Sequence, residues 1–273
     1  MAIITISREL AALGDETALE LAKLLNYRFI DKHILEERIK SYGVAGRKLE
    51  KYDERKPSFW ASLSQDRDDY LHYLKTAILT EAEQGSCVFI GRGANMIFKD
   101  LPGVLSVFLV APFHVRIERV KSYFHCDDKR ARQIIEQSDH DREGFHRYFF
   151  DMRWQDSGNY HLTLNTGHLH PAFCAEIIKQ LRDHIITPEG EIKNTSRLKE
   201  LILGQQVKHH ILYKKEIPIH FMEASVNGGV ITLYGVANSQ SLVEAAVSAA
   251  REVAPAGSLQ SEIQIVQEYN VMP

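Results

Sequence analysis

The first 25 residues, MAIITISRELAALGDETALELAKLL (1–25), decide the fold of the amino-terminal half of the chain. An apolar run at residues 3–6 predicts a buried strand, and one face of the helix that follows carries Ala18, Leu21, Ala22 and Leu25. A parallel strand that feeds a phosphate-binding turn and a helix has this order. The turn contains one glycine, Gly14, and no lysine. The turn is therefore a phosphate loop, a degraded phosphate loop or an ordinary strand-to-helix connection.

Composition limits the classes of protein to which the chain can belong. With 273 residues, of which 44% are hydrophobic and 25% charged, it can bury a full core and form two domains. A net charge of −3 provides no field that would attract nucleic acid or an anionic membrane. The sequence shows neither a signal pattern nor an apolar run long enough to span a bilayer, which predicts a cytoplasmic protein. Its three cysteines and scattered histidines have no ligand spacing, so we expect free thiols and no metal site.

Strands and helices alternate along the first two thirds of the chain. Apolar runs predict strands at residues 2–7, 27–31, 86–91, 103–112 and 161–166. Helical periodicity predicts helices at residues 15–25, 32–40, 69–84, 114–124, 127–154 and 171–186. Residues 43–68 are charged and weakly periodic, which favours a mobile flap. Strands separated by helices imply right-handed crossovers and a parallel sheet, so the predicted class is α/β.

A polar stretch, ITPEGEIKNTS (186–196), interrupts this alternation with Pro188 and Gly190. We therefore predict a first domain at residues 1–186, a linker at 187–195 and a second domain at 196–273. Beyond the linker the predicted order is helix, strand, strand, helix, strand, and Asn227-Gly228 is a strong hairpin signal between the two strands. The second domain is therefore a small α+β domain.

Six blocks of the first domain resemble, in order, the cytidylate kinase-like family, a branch of the P-loop nucleoside monophosphate kinases. The blocks are ITISRE (4–9), ETALELAKLLNYRFIDKHIL (16–35), VFIGRGANMIF (88–98), SVFLVAPFHVRIERV (106–120), SDHDREGFHRYFFDMRW (138–154) and NYHLTLNT (159–166). The tail segment GGVITLYGVANSQSLVEAAVSAAREV (228–253) is similar to a BON domain, a small αββαβ module. The resemblance implies a P-loop kinase-like parallel sheet flanked by helices, followed by this module.

The turn after the first strand departs from the pattern of this family. The branch usually shows a run such as GSGGRE, and the aligned residues here are Ala11, Ala12, Leu13, Gly14, Asp15 and Glu16. The resemblance implies that these residues face the phosphates of ATP, which would bring Mg²⁺ if the protein is active. Carboxylates in the first helical turn cap its free N–H groups and repel a triphosphate. We therefore expect a turn that keeps its shape and binds phosphate poorly.

The acceptor side fits the family pattern better. By resemblance, Arg92 in GRGAN would grip the phosphate of a nucleoside monophosphate, and Asp139 with Arg142 would read the cytosine and its phosphate. Taken alone, Arg92 is an arginine in a surface turn, and the Asp-x-x-Arg spacing is a solvated ion pair on one helix face. Asp31 would contact the nucleoside or cap the helix that begins after it.

Arginines would have to supply the charge that the missing lysine supplies in other phosphate loops. The candidates are Arg8 after the first strand, and Arg130 with Arg132 in the expected lid. Phosphoryl transfer needs such positive charge near the phosphates. The alternative for each residue is an ordinary surface arginine.

Two functions follow from these expectations. The first is a kinase that transfers a phosphoryl group from ATP to CMP or a related acceptor. The second is a catalytically silent nucleotide sensor that regulates the BON-like tail or is regulated by it. In both cases the expected ligand is a nucleotide, and the tail would sense a ligand or associate with a second copy or another protein.

Overall fold

The computed structural model describes residues 1–43, 64–255 and 257–266, and its first part is built on a five-stranded sheet. The strands are β1 (Ile3–Arg8), β2 (Arg28–Ile30), β3 (Cys87–Ile90), β4 (Val104–Val110) and β5 (Leu162–Asn165). They lie in the order β2-β3-β1-β4-β5, and every neighbouring pair is parallel. The predicted α/β class is therefore confirmed.

Helices occupy the connections between these strands. They are α1 (Gly14–Leu25), α2 (Lys32–Ser41), α3 (Ser64–Glu83), α4 (Ala94–Ile97), α5 (Phe113–Phe124), α6 (Asp128–Phe150) and α7 (Pro171–Ile185). A 3₁₀ turn, Ser157–Asn159, precedes β5. Of the predicted flap, residues 44–63 lie outside the described residues, and residues 64–68 belong to α3.

The core lies where α1 and α7 pack on the central strands. Ile4 and Ile6 of β1, Val107 of β4, Leu21 of α1 and Ile178 of α7 belong to one buried apolar cluster. Strands β1 and β4 are buried along almost their whole length, because helices cover both faces of a parallel sheet. The carboxyl ends of the three central strands therefore meet at one edge, where open α/β folds bind ligands.

A small mixed sheet forms the second part of the chain. It contains α8 (Pro188–His209), a π-helical turn (His210–Lys214), β6 (His220–Asn227), β7 (Val230–Ala237), α9 (Gln240–Val253) and β8 (Ser258–Ile265). Strands β6 and β7 are antiparallel and β8 runs parallel to β7. A hairpin joins β6 and β7, as predicted, but Asn227 pairs with Val230, so its two turn residues are Gly228 and Gly229, both with positive φ, rather than Asn227-Gly228. The predicted αββαβ order is confirmed.

The predicted linker is helical rather than irregular. Residues 188–195 are the first turns of α8, and the chain divides inside this helix into a first unit, Met1–Asn194, and a second unit, Thr195–Pro273. The two breaking residues, Pro188 and Gly190, both fall in the first turn of this helix. Proline is favoured there, and the Gly190 N–H donates to the Thr187 hydroxyl oxygen at 3.1 Å, which caps the helix.

No helix in the described part of the chain is both long and apolar enough to cross a membrane.

Candidate active site

The turn between β1 and α1 holds a conformation that ordinarily favours glycine. Ala11 has φ 61° and Leu13 has φ 53°, both in the left-handed region. Each such residue costs roughly 1–2 kcal/mol when it carries a side chain. Both occupy positions where the run GSGGRE has glycine. The turn therefore keeps this backbone shape without the residues that would adopt it at least cost.

Three successive carbonyl groups of the turn are held by side chains. Leu10 O accepts from Arg116 Nε at 2.8 Å, Ala11 O from Arg119 Nη1 at 2.9 Å, and Ala12 O from Thr166 Oγ1 at 3.0 Å. In a planar trans peptide the N–H points opposite to the C=O, so the next amides face away from these side chains. The first amides of α1 also lack intrahelical partners. The Ala12 N–H is used within the turn, where it donates to Glu9 O at 3.3 Å. The amides at the start of α1 are therefore the N–H groups that this turn can present to an anion.

Arg8 lies across the start of α1. A Cβ atom placed on Gly14 would come within 2.7 Å of Arg8 Cβ and 2.4 Å of Arg8 Cγ, so the arginine stem occupies that space. Its Nη2 lies 4.0 Å from Asp15 Oδ1, and 18% of its side chain is exposed. Gly14 is therefore needed for close approach, and the approach brings a positive charge beside the helix start.

The two acidic residues of the first turn differ in their surroundings. Asp15 is 64% exposed beside Arg8. Glu16 Oε1 accepts a hydrogen bond from the Tyr123 hydroxyl of α5 at 3.1 Å. No side chain caps this helix at Leu13. Both carboxylates therefore bring negative charge to the end of the helix dipole at which an anion would bind.

A buried arginine connects the turn to α6. Arg116 donates from Nη2 to Asp139 Oδ1 at 2.7 Å, and its Nη1 lies 3.4 Å from Glu9 Oε1. Glu9 Oε2 accepts from the Ala111 N–H at 3.0 Å. Burial raises the pKa of the Glu9 carboxyl, while the Ala111 N–H and Arg116 act in the opposite direction. This group holds the ends of β1 and β4 and helix α6 together.

The sequence interpretation did not include Glu9, Arg116, Arg119 or Thr166. A signal was present, because Glu9 directly follows β1 and Ala111 directly follows β4. These strands are neighbours in a parallel sheet, so a polar side chain just beyond the end of β1 must lie close to the backbone at the end of β4.

The predicted pair Asp139 and Arg142 lies on α6, but the two side chains have different partners. Asp139 pairs with Arg116. Arg142, which is 7% exposed, donates from Nη1 to the Ser138 hydroxyl oxygen at 2.6 Å. The alternative of a solvated ion pair is therefore wrong, since Arg142 is buried and Asp139 joins the group at the turn.

Arg92 is fixed by an unusual backbone. Gly91, Arg92 and Gly93 have φ 73°, 56° and 67°, three left-handed residues in succession. A Cβ on Gly93 would lie 2.1 Å from Phe150 Cε2, so glycine is required by space as well. Arg92 is 4% exposed, which rules out the surface-turn alternative. Its Nη2 donates to Glu36 Oε1 at 3.0 Å and its Nη1 to the Tyr70 hydroxyl oxygen at 3.4 Å.

The remaining predicted residues have local partners. Asp31 caps α2 by accepting from the Ile34 N–H at 3.0 Å. Arg130 donates to Gln133 Oε1 at 3.4 Å, and Arg132 Nη2 lies 3.5 Å from Asp128 Oδ2. An open cleft of about 800 Å³ is lined by Leu10 of the turn and Arg130, among others.

Comparison with known proteins identifies the family of the first unit. Residues 3–168, more than half of the chain, match the model of the cytidylate kinase-like family. The chain belongs to the cytidylate kinase-like family. Residues 200–267 match the BON domain. Among curated proteins, none matches the chain in sequence.

One solved structure shares the fold of this cytidylate kinase-like unit at low identity, and two others are similar at lower TM-scores. An uncharacterized protein from Eubacterium ventriosum is 23% identical, with TM-score 0.54, over 67% of this chain and 99% of its own. Shikimate kinase from Acinetobacter baumannii in complex with shikimate is 16% identical, with TM-score 0.40, over 66% and 92%. A gluconokinase from Sinorhizobium meliloti is 14% identical, with TM-score 0.39, over 67% and 94%.

In this member of the family the predicted residues fall into separate groups. Arg8 lies beside the turn residues, and Asp139 reaches the turn through Arg116. Arg92 follows β3 and is held by residues of α2 and α3. Arg132 pairs at the start of α6 with Asp128. Within residues 1–43, 64–255 and 257–266, no three His, Cys, Asp or Glu side chains are grouped to hold a metal ion.

Proposed function

We propose that the first unit binds a nucleoside monophosphate such as CMP and transfers to it a phosphoryl group from ATP. The observation that carries this proposal is the turn after β1, in which Ala11 and Leu13 hold left-handed backbone beside Arg8. Backbone strain of this kind persists where the surrounding structure enforces it, and it clusters at functional sites. Here Arg116, Arg119 and Thr166 enforce it.

Arg8 would supply the positive charge that a lysine supplies in other phosphate loops. Its stem crosses Gly14 and its guanidinium lies beside the first turn of α1, where the N–H groups of the turn would hold phosphate oxygens. A guanidinium presents several donors in a planar fork, which suits a phosphate group. Arg130 and Arg132 would add positive charge from the exposed start of α6.

The acceptor would lie at the other residues that the family pattern indicates. Arg92 would bind its phosphate, and Asp139 with Arg142 would contact its base and phosphate. All three side chains are largely buried and are held in place by other groups, so little ordering would be needed on binding.

The turn does not offer the usual protein ligand for Mg²⁺. Glu16 stands where a phosphate loop has Ser or Thr, and its carboxylate accepts from Tyr123. The hydroxyl of Thr17 donates to Leu13 O at 2.7 Å. Magnesium that arrives with ATP would depend on the oxygen atoms of the nucleotide.

A nucleotide sensor without phosphoryl transfer is the second candidate. Asp15 and Glu16 favour it, because two carboxylates at the start of α1 oppose a triphosphate. Under this proposal the occupied nucleotide site acts on the second unit, which matches the BON domain and would bind a ligand or a partner protein.

Calorimetry and a phosphoryl-transfer assay on the full chain separate these functions. We expect CMP or CDP to bind more tightly than ATP-Mg²⁺, because the acceptor side has its arginines and the turn has no lysine. Arg8→Ala should remove transfer and weaken ATP binding while CMP affinity changes little. Lys23→Ala, which removes an exposed cation from the other end of α1, is the control.

Different results identify different errors. CMP binding without transfer by the wild-type chain would favour the sensor. Transfer that survives Arg8→Ala would show that other groups supply the charge. Absence of binding by every nucleotide tested would contradict both functions.

A further inference from the structure

A carboxylate already occupies the anion-binding face of Arg92. Glu36 Oε1 accepts from Arg92 Nη2 at 3.0 Å and lies 3.5 Å from Lys32 Nζ. Lys32 and Glu36 are one turn apart on α2, whereas Arg92 follows β3. One carboxylate oxygen is thus shared by two cations from two different elements.

The position of the guanidinium is set by strongly constrained backbone. Arg92 lies between two glycines in three consecutive left-handed residues, and Phe150 fills the space beside Gly93. The hydroxyl oxygen of Tyr70, whose side chain is buried, accepts a hydrogen bond from the second guanidinium nitrogen, Nη1. Arg92 therefore directs Nη1 to Tyr70 and Nη2 to Glu36.

Exposure shows from which side a ligand would arrive. Arg92 is 4% exposed, whereas Glu36 is 24% and Lys32 is 38% exposed. The carboxylate therefore lies between a buried cation and solvent. Because it is partly exposed, Glu36 can turn toward water without becoming a buried, unpaired charge.

We propose that the acceptor's phosphate binds between Arg92 and Lys32, and that Glu36 occupies this position until the phosphate displaces it. This inference rests on the proposed function, and it adds Lys32 as a phosphate ligand and Glu36 as the competing group. A carboxylate brings one negative charge to the two cations, whereas a phosphate monoester brings close to two and three acceptor oxygens. The dianion is therefore the better partner for this pair.

The competition has a thermodynamic consequence. The apparent affinity for the phosphate is reduced by the fraction of molecules in which Glu36 holds the position. Removing the charge of Glu36 should therefore strengthen phosphate binding, although it deletes a contact of Arg92. A residue that merely orients Arg92 would have the opposite effect.

The test measures CMP and inorganic phosphate binding to the full chain by calorimetry. Glu36→Gln should tighten both, by roughly fivefold or more, the usual size of such coupling. Lys32→Met should weaken both. Glu37→Gln, which changes the neighbouring exposed glutamate that pairs with Lys40, should change neither. Melting temperatures confirm that each variant is folded. If Glu36→Gln does not fold, Lys32→Met still tests whether Lys32 binds the phosphate.

The outcomes distinguish this inference from the proposed function. Binding by the wild-type chain that is unchanged or weakened in Glu36→Gln overturns the competition and leaves the proposed function intact. If Glu36→Gln binds phosphate more tightly but no variant binds CMP, the competition is supported and CMP is not the acceptor. Absence of binding by all variants overturns both.

Discussion

In the turn after β1, the backbone conformation suits phosphate binding, whereas the charges of individual residues oppose it. Ala11 and Leu13 accept left-handed backbone, while Gly14 is kept where Arg8 crosses the chain. Glycine at Gly14 is thus explained by a close approach rather than by its φ. Asp15 and Glu16 place negative charge at the same helix end.

The first prediction changes these charges and leaves the shape alone. Asp15→Lys with Glu16→Thr should increase ATP-Mg²⁺ affinity, because the lysine and hydroxyl of a phosphate loop replace two carboxylates. Glu9 must be retained, since it accepts from the Ala111 N–H and lies beside Arg116. The melting temperature should fall, because acidic charges at a helix start contribute roughly 0.3–1 kcal/mol each.

Calorimetry with ATP-Mg²⁺ and thermal melting measure both effects of this double variant. Glu20→Lys, which adds positive charge to α1 beyond the first turn, is the control. An unchanged ATP affinity in the double variant would show that the carboxylates are not what opposes the triphosphate.

At the scale of elements, one glutamate joins β2, α2 and α3. Glu81 of α3 is 2% exposed and accepts from Arg28 of β2 and Arg38 of α2. Arg38 Nε donates to Glu81 Oε1 at 2.7 Å, and Arg28 Nη1 donates to the Glu81 carbonyl at 2.7 Å. These bonds hold α2, which carries Lys32 and Glu36, against the sheet.

The second prediction concerns the pH dependence of this cluster. Burial would raise the pKa of Glu81, but hydrogen bonds from Arg28 and Arg38 outweigh it and lower that pKa. A carboxyl whose pKa is lower in the folded state stabilises the fold above its unfolded pKa of about 4.3. This stabilisation is lost as the pH falls through the folded pKa.

Glu81→Gln should therefore lower the free energy of unfolding near neutral pH by ~1.5–3 kcal/mol, the range for hydrogen bonds to charged groups. The lower end applies because both arginines are about one third exposed and screened by water. Chemical denaturation at neutral and acidic pH measures the difference, with exposed Glu83→Gln as control. A difference that stays constant as the pH is lowered would contradict the linkage.

Sequence periodicity located the strands because burial on both faces gives continuous apolar runs, and each strand of the first sheet overlaps a predicted one. Helix α4 was not predicted, since its four residues are too short to show a helical period. The start of α8 was predicted too late in the chain. The hydrogen bond from the Gly190 N–H to the Thr187 hydroxyl, which caps this helix, cannot be read from amino-acid composition.

In the candidate site, too, sequence patterns identify residues but not their long-range contacts. Single residues such as Arg92 could be named from the local motif, but their partners could not. Glu36 and Tyr70 come from helices far away in sequence, so only the folded chain shows that they hold the guanidinium. The pairing of Asp139 with Arg116 depends in the same way on how α5 packs against α6.

At the scale of the whole molecule, the boundary between the two units lies inside α8. The first turns of this helix contact the first unit. Met1 N donates to Glu191 O at 2.9 Å, and Arg182 pairs with Glu191. Asn194, which is fully buried, donates from Nδ2 to Met1 O at 3.0 Å and lies against Gly103. Residues 188–194 therefore belong to the first unit although they resemble a linker in sequence.

The last prediction compares two fragments that end on either side of these contacts. A fragment of residues 1–196 should fold and keep the CMP affinity of the full chain, because it retains Glu191 and Asn194. A fragment of residues 1–187 should be less stable by ~1–3 kcal/mol, since it loses hydrogen bonds at a charged amino terminus and at a buried amide. Circular dichroism and thermal melting measure this difference, and Asn194→Ala in the full chain is the matched point variant. Equal stability of the two fragments would show that the first turns of α8 do not stabilise the first unit. Aggregation of the longer fragment would show that the two units depend on a common core.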